Sequence, residues 1–505
     1  MSLFKQLALL VGRPRVFPAA AIALTCISGA AYLTAGRIAA GSFGYPIDDP
    51  WIHETLARNL VHYGELAINR GEPAAASTSL LWTVLLVPGY LVGIAPLYWA
   101  YLLGAASLAL VGTATYRFAQ ALLPESRLLP PTAGLLALLD WHLVWSGFSG
   151  METLLFTGLS LLLLTSAMAS REGPAWKKGL MAGALTLVRP EGMLLAALVG
   201  AKIVFGEPAL GRSRRITGYA GVLALCLLPL FGVNYALNGQ LLPATFTAKN
   251  AAYGAGVNLG AYADYLWSAL VILAPGVQLL LFPGLLYLLL RRLKGLNAWW
   301  PLPLWWGALL LSAYMVWLPV LYHHGRYLFP LVPLIIVYGL TGGTKLLERL
   351  PFTVLPRAVA AMLALLAILS WARGAQIYAG DVAYIYDHQV ALAKWARDNT
   401  SPDAVIATHD IGAIGYYAQR KLVDIAGLAS RELTTSPKDV ARVLAVLEEK
   451  HVAYIFLLPS WYPPLSRALE ETGAFQKVSV KPDLKQNETV ESLYSFLVWR
   501  RISER

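Results

Sequence analysis

Up to residue 373 the chain is a series of long apolar runs broken by short polar turns. The first run, Phe17–Ala40, is too long for the core of a signal peptide and lacks a convincing small-residue cleavage site. It reads as a retained transmembrane helix, since a helix needs about 20 apolar residues to cross the hydrocarbon layer. Residues 79–95 read as an interfacial or re-entrant segment and 97–116 as a crossing. Residues 178–204 are too few for two full crossings. They read as two short helices meeting at Arg189-Pro190, where the proline ends one helix and pushes Arg189 out of the α region. Irregular backbone at membrane depth persists only where protein buries it or it lines a cavity.

Beyond about residue 380 the composition changes. Val405-Ile406-Ala407-Thr408, Leu422-Val423-Asp424-Ile425 and Tyr454-Ile455-Phe456-Leu457-Leu458 read as short buried strands. Lys438–Glu449 reads as an amphipathic helix with Val440, Val443, Leu444 and Leu447 on one face. The expected architecture is therefore a polytopic α-helical membrane protein, residues 1–378, followed by a small α/β domain, residues 379–505.

Basic residues orient the helices. Lys5, Arg13 and Arg15 precede the first helix, and further basic loops hold Arg171, Lys177 and Lys178; Arg212, Arg214 and Arg215; Arg291, Arg292 and Lys294; and Lys345, Arg349 and Arg357. With all of these cytoplasmic, about 11 helices cross the membrane. The N-terminus is then cytoplasmic, while the first loop (41–78) and the C-terminal domain are extracytoplasmic. The expected location is a plasma or inner membrane.

Composition agrees: 57% of the 505 residues are hydrophobic and 14% charged, with mean hydropathy +0.56. The net charge of +11 fits basic cytoplasmic loops and does not call for a nucleic-acid partner. Cys26 and Cys226 both lie in apolar runs, which excludes a disulfide framework. There is no CxxC, P-loop, dinucleotide fingerprint or solenoid repeat.

Against this background the segment Tyr45-Pro46-Ile47-Asp48-Asp49-Pro50-Trp51-Ile52-His53-Glu54 stands out. Ionisable groups at the mouth of a membrane helix are costly and point to a site, although a plain solvated loop would carry the same letters. The inferred topology gathers Asp48, Asp49, Glu54, Glu152 and Glu191 on one face with Arg58, Arg189, Lys249 and Arg326, and with His53, His323 and His324. A carboxylate beside apolar walls can take a proton near neutrality, and Arg and Lys can hold a phosphate. Such a set suits attack by a hydroxyl on a carbon that carries a phosphate leaving group. Single residues have simpler readings too: Glu191 could only pair with Arg189, the histidines could be interfacial anchors, and Lys249 a loop lysine.

Seven short motifs occur in order. They are Asp48-Asp49-Pro50-Trp51-Ile52, Ala57-Arg58-Asn59-Leu60, Ser77-Thr78-Ser79-Leu80-Leu81-Trp82, Ser149-Gly150-Met151-Glu152-Thr153, Arg189-Pro190-Glu191-Gly192, Leu242-Pro243-Ala244-Thr245-Phe246-Thr247-Ala248-Lys249 and Gly325-Arg326-Tyr327-Leu328-Phe329-Pro330. Together they resemble the C-type (GT-C) superfamily of polytopic glycosyltransferases that use polyprenyl-phosphate sugars, and most of all its arabinofuranosyltransferase and mannosyltransferase branch. Leu80 stands where the third motif usually has proline. The resemblance implies transfer of a pentose or hexose from a polyprenyl-phosphate donor to a glycan, lipid or protein acceptor of the cell envelope. It implies Asp48 as general base, with Asp49 the alternative. Arg326, Lys249, Arg189 and Arg58 are then the donor-phosphate set, and His53, Glu54, Glu152, Glu191 and His324 the substrate-binding set. No particular cofactor is implied, and the Asp48-Asp49 pair could hold a divalent cation, Mg²⁺ or Mn²⁺. His409-Asp410-Ile411-Gly412-Ala413-Ile414-Gly415-Tyr416 resembles a motif of the outer domain in such enzymes, and reads here as a structural turn. A transporter or flippase of lipid-linked sugars would place charges at the bilayer midplane and show inverted repeats. An O-antigen-type ligase or polymerase would share the carboxylate and arginine chemistry with a diphosphate donor.

Overall fold

A computed structural model describes residues 13, 15–74, 76–169, 173–206, 211–241, 243–253, 258–291, 296–351, 354–478 and 496–502. Lys5, Arg171, Leu242, Arg292 and Lys294 of the sequence analysis lie outside the described residues. The chain divides into two compact units. One holds residues up to 35, 100–228 and 255–379; the other holds 36–99, 229–254 and 380–505.

Five helices among the described residues are long and apolar enough to cross a membrane: Phe17–Ala40, Pro96–Leu122, Arg212–Asn238, Tyr322–Leu347 and Leu355–Asn399. Shorter apolar helices include Leu80–Leu91, Thr153–Met168 and Gly192–Gly206. The expected break in 178–204 is present. One helix ends at Val188, the next begins at Gly192, and Arg189 between them is extended at φ −153°, ψ 137°. Proline at 190 accounts for both the stop and the extended residue before it.

Within the first unit, helices Gln278–Leu290 and Val332–Leu347 meet backbone to backbone. A Cβ on Gly284 would overlap the Gly339 carbonyl oxygen, and one on Gly342 would overlap the Gly284 carbonyl oxygen. Small residues permit this approach, which replaces the missing hydrophobic drive between helices in lipid.

The second unit is built on a five-stranded sheet of β1 (Val405–Thr408), β2 (Lys421–Asp424), β3 (Tyr454–Leu457), β4 (Phe475–Val478) and β5 (Leu497–Arg501). Its order is β2-β1-β3-β5-β4. β2, β1 and β3 run parallel, and β5 and β4 pair antiparallel. Period-2 alternation sorts the strands' side chains to two faces. Ile406, Leu422, Phe456 and Val498 pack with Ile52 and Leu56 of helix Asp49–Tyr63 and with Leu392 and Ala396 of helix Ala391–Asn399. Ala407, Val423, Ile455, Leu457 and Trp499 pack with Val443 and Leu447 of helix Val440–Glu449 and with Leu465 and Leu469 of helix Pro463–Glu471. The three predicted strands and the predicted helix thus form, each within a residue or two of its expected bounds. The first loop, however, is not open coil: from Asp49 it is a helix that covers one face of the sheet.

Candidate active site

The acidic segment starts a helix because Pro50 fits its first turn, where the missing N–H costs nothing, and Asp49 suits the positive end of the helix dipole. This helix, Asp49–Tyr63, ends at Gly64 with φ 72°. The ionisable residues at its head and on its inner face are not solvated: Asp48 is 8% exposed, His53 4% and Glu54 1%. The plain wet loop is therefore excluded, since buried polar groups must be partnered.

Each of them has partners. Asp48 Oδ2 accepts the Gly412 N–H at 2.8 Å and Oδ1 accepts the Ala413 N–H at 2.7 Å. Glu54 accepts from the Tyr45 hydroxyl at 2.7 Å and from the Tyr90 hydroxyl at 2.9 Å. His53 Nδ1 lies 2.9 Å from the Thr83 hydroxyl and 3.2 Å from that of Ser77. Arg58 donates to the Tyr416 carbonyl at 3.1 Å and lies 4.9 Å from the Tyr416 ring centre. Trp51 packs against Tyr45, Tyr416 and Tyr417 with ring centres 4.8–4.9 Å apart. The three N-terminal motifs and the His409–Tyr416 motif therefore form one cluster inside the second unit. Lys249, on helix Ala244–Tyr253, belongs to the same unit and is half-buried.

Asp410 completes the acidic group. Burial first, then the charge of Asp410, pushes Asp48 well above the ordinary carboxylate range, while the two backbone N–H donors pull the other way. Burial also raises Asp410, Asp49 adds to that, and Gln389, which donates to Asp410 Oδ2 at 3.3 Å, opposes it. Burial pushes Glu54 up to about 7 against its two tyrosine donors. His409 is held down to about 3 by burial; its ring lies among Trp461, Tyr462 and Phe496. Among the described residues, no group of three or more His, Cys, Asp or Glu side chains is arranged to hold a metal ion.

A second cluster lies inside the first unit. Arg189, 7% exposed, donates to Glu152 Oε1 at 2.6 Å, to Glu191 Oε1 at 3.2 Å and to the Tyr314 hydroxyl at 3.0 Å. The simpler reading of Glu191, a partner for Arg189, describes its contact. The Tyr327 ring lies 5.2 Å from the Arg189 guanidinium and 5.1 Å from that of Arg326. Arg326 is 3% exposed. Three of the seven motifs, those of Glu152, of Arg189-Glu191 and of Arg326, thus converge around Tyr327 and Tyr314. His323 and His324 take left-handed conformations at φ 52° and 61°, followed by Gly325 at 73°. The His324 ring meets Trp141 and Trp145 edge-on at 5.6 and 5.3 Å.

Sequence reading missed Asp410 and Gly412 beside Asp48, Tyr45 and Tyr90 on Glu54, and Tyr314 with Arg189. The only signal was the His409–Tyr416 motif itself, which reads as a turn when its partner in space is unknown.

A domain family of unknown function, DUF8728, matches residues 376–496. No curated protein sequence matches the chain. Among solved structures, ArnT from Cupriavidus metallidurans bound to undecaprenyl phosphate aligns over 96% of this chain and 98% of its own, at TM-score 0.62 and 14% identity. The Archaeoglobus fulgidus oligosaccharyltransferase tethered to an acceptor peptide aligns over 92% of this chain and 75% of its own, at TM-score 0.57 and 13% identity. The archaeal oligosaccharyltransferase AglB, also from Archaeoglobus fulgidus, in complex with an inhibitory peptide and a dolichol-phosphate, aligns over 86% of this chain and 69% of its own, at TM-score 0.52 and 13% identity. The likeness carried by the motifs extends to the backbone, and this chain has the fold of the GT-C glycosyltransferases.

Proposed function

We propose that this protein is a membrane glycosyltransferase that moves a sugar from a polyprenyl-phosphate donor to a hydroxyl of a cell-envelope acceptor at the extracytoplasmic face. The observation that carries the reading is the buried Asp48 carboxylate, oriented by two backbone N–H groups at the head of the first-loop helix, in a chain with this fold. ArnT and AglB, which share the fold, are recorded with undecaprenyl phosphate and dolichol-phosphate.

In this reading Asp48 removes the proton of the acceptor hydroxyl. That oxygen bonds to the anomeric carbon as the bond from the anomeric carbon to the phosphate oxygen breaks. The electron pair leaves with the polyprenyl phosphate. A carboxylate has about four lone-pair sites, so the two N–H bonds fix Asp48 without using up its capacity to accept. Its raised proton affinity suits a base working near neutrality. Lys249, in the same unit as Asp48, offsets the charge that develops on the leaving phosphate. Asp49, half-buried beside Asp48, is the alternative base. The test is an assay of the purified protein with a panel of radiolabelled sugars on polyprenyl monophosphate, polyprenyl diphosphate and nucleotide carriers. The reading expects transfer from a monophosphate donor; transfer from nucleotide sugars alone would contradict it.

A further inference from the structure

The segment Asp410–Ala413 follows β1 in the α/β domain, more than 360 residues along the chain from Asp48, and nothing in the proposed reaction requires a distant loop there. Yet it meets the carboxylate in three ways. Gly412 and Ala413 each give a backbone N–H to a different oxygen of Asp48, across sequence separations of 364 and 365 residues. There is no room for a side chain at Gly412, where a Cβ would overlap the Asp48 carbonyl oxygen and crowd its carboxylate. Asp410 adds a second negative group whose charge acts on Asp48.

We propose that the Asp410–Ala413 loop is a positioning element for the proton-accepting carboxylate: its two N–H groups fix the Asp48 side chain, and Asp410 sets the charge that Asp48 faces. This rests on the function proposed above. It also gives the α/β domain a task in the reaction, since the domain's sheet carries the loop that aims the base. A carboxylate held by two N–H donors cannot rotate away from its target, and a misplacement of about 1 Å can cost about 10²-fold in rate. The groups that face Asp48 are Asp49 from its own segment and Asp410 with the two N–H groups from the loop. Behind Asp410 stand Gln389, which donates to it, and His409, whose Nε2 lies 3.9 Å from Asp410 Oδ2. His409 is kept neutral by burial at working pH.

The sign of the charge effect follows directly. Asp410 raises the proton affinity of Asp48, so removing its charge lowers it. The rising limb of kcat against pH, where the base loses its proton, must then move to lower pH. In the full-length purified protein, Asp410→Asn keeps shape and removes charge. It is expected to shift that limb to lower pH with the donor KM unchanged. Gly412→Ala is expected to lower kcat by about 10²-fold, again with little change in KM. A merely structural loop would lower the amount of folded enzyme without moving the limb. Because Gly412→Ala could also fail to fold, hydrogen exchange gives a readout independent of activity. The Gly412 and Ala413 amides are expected to be protected in the parent and exposed in Asp48→Ala. An unmoved limb in Asp410→Asn, or amides at 412 and 413 that exchange freely in the parent, overturns the proposal. A parent that shows the protection yet transfers no sugar from any polyprenyl-phosphate donor overturns the functional reading, and with it the role given to the loop.

Discussion

Asp48 shows what a single residue of this chain reveals and what it hides. Its letter, beside Asp49 and after an apolar run, announces a costly charge. Its burial, its two backbone donors and its acidic neighbour depend on residues more than 360 positions away, and no spacing rule reaches that far. Glu54 is alike: its helix position is readable, but the tyrosine hydroxyls that hold it come from Tyr45 and from Tyr90. Arg189 and Glu191 are close enough in sequence to pair by inspection, and they do, whereas Glu152 and Tyr314 join them only in the folded chain. The arginine that carries a prediction at this scale is Arg326. Its guanidinium is buried against Tyr327, and a planar fork suits a phosphate better than a point charge does. Arg326→Ala should weaken binding of a labelled polyprenyl-phosphate donor by roughly 10–100-fold, the range for a charged hydrogen bond, and leave acceptor KM within about twofold. Arg326→Lys should recover only part of this. Equal donor affinity in all three proteins would remove Arg326 from the phosphate set.

Elements were the most legible level where local chemistry decides them. The short apolar runs Val405–Thr408 and Tyr454–Leu457 and the 3.6-residue stripe of Val440–Glu449 make the core of the α/β domain legible in the sequence. Arg189-Pro190 marked a helix break that is present. The two antiparallel strands β4 and β5 were not foreseen. Phe475–Val478 and Leu497–Arg501 are short and rich in Lys, Gln and Arg, so neither reads as a buried run. The first-loop helix was hidden by its polar letters, because its buried groups are satisfied by tertiary partners rather than by apolar composition. Gly284 tests the packing account. Its added Cβ would overlap the backbone at Gly339, whereas one at Gly221, also inside a helix, meets nothing within 4 Å. Gly284→Ala should destabilise the purified protein by about 1–3 kcal/mol, read as a lower melting temperature. Gly221→Ala should leave it unchanged or slightly raised. Equal melting temperatures for the two variants would sink the close-packing argument.

At the scale of the whole molecule, the order of seven weak motifs carried more than any one of them, and the backbone likeness to ArnT over 96% of the chain agrees with it. What the motifs could not reveal is their grouping: the Asp48 and Arg58 motifs meet the α/β domain and the Ser77 motif meets His53 on the same helix, while those of Glu152, Arg189 and Arg326 gather around Tyr327. The lysine and arginine pattern predicts that residues 380–505 face away from the cytoplasm. After Cys26 and Cys226 are replaced, a cysteine at Ser401 should react with an impermeant thiol reagent in intact cells and one at Ser213 should not. The reverse pattern would invert the topology and favour a nucleotide-sugar donor. The central claim is that a carboxylate of the acidic segment activates an acceptor for transfer from a lipid phosphate. The most direct measurement compares the parent with Asp48→Asn in transfer of labelled sugar from a polyprenyl-phosphate donor, with donor binding followed separately. Transfer is expected to fall by roughly 10²–10⁴-fold, the usual general-base contribution, while donor affinity is kept. Transfer by Asp48→Asn at the parental rate would contradict the account.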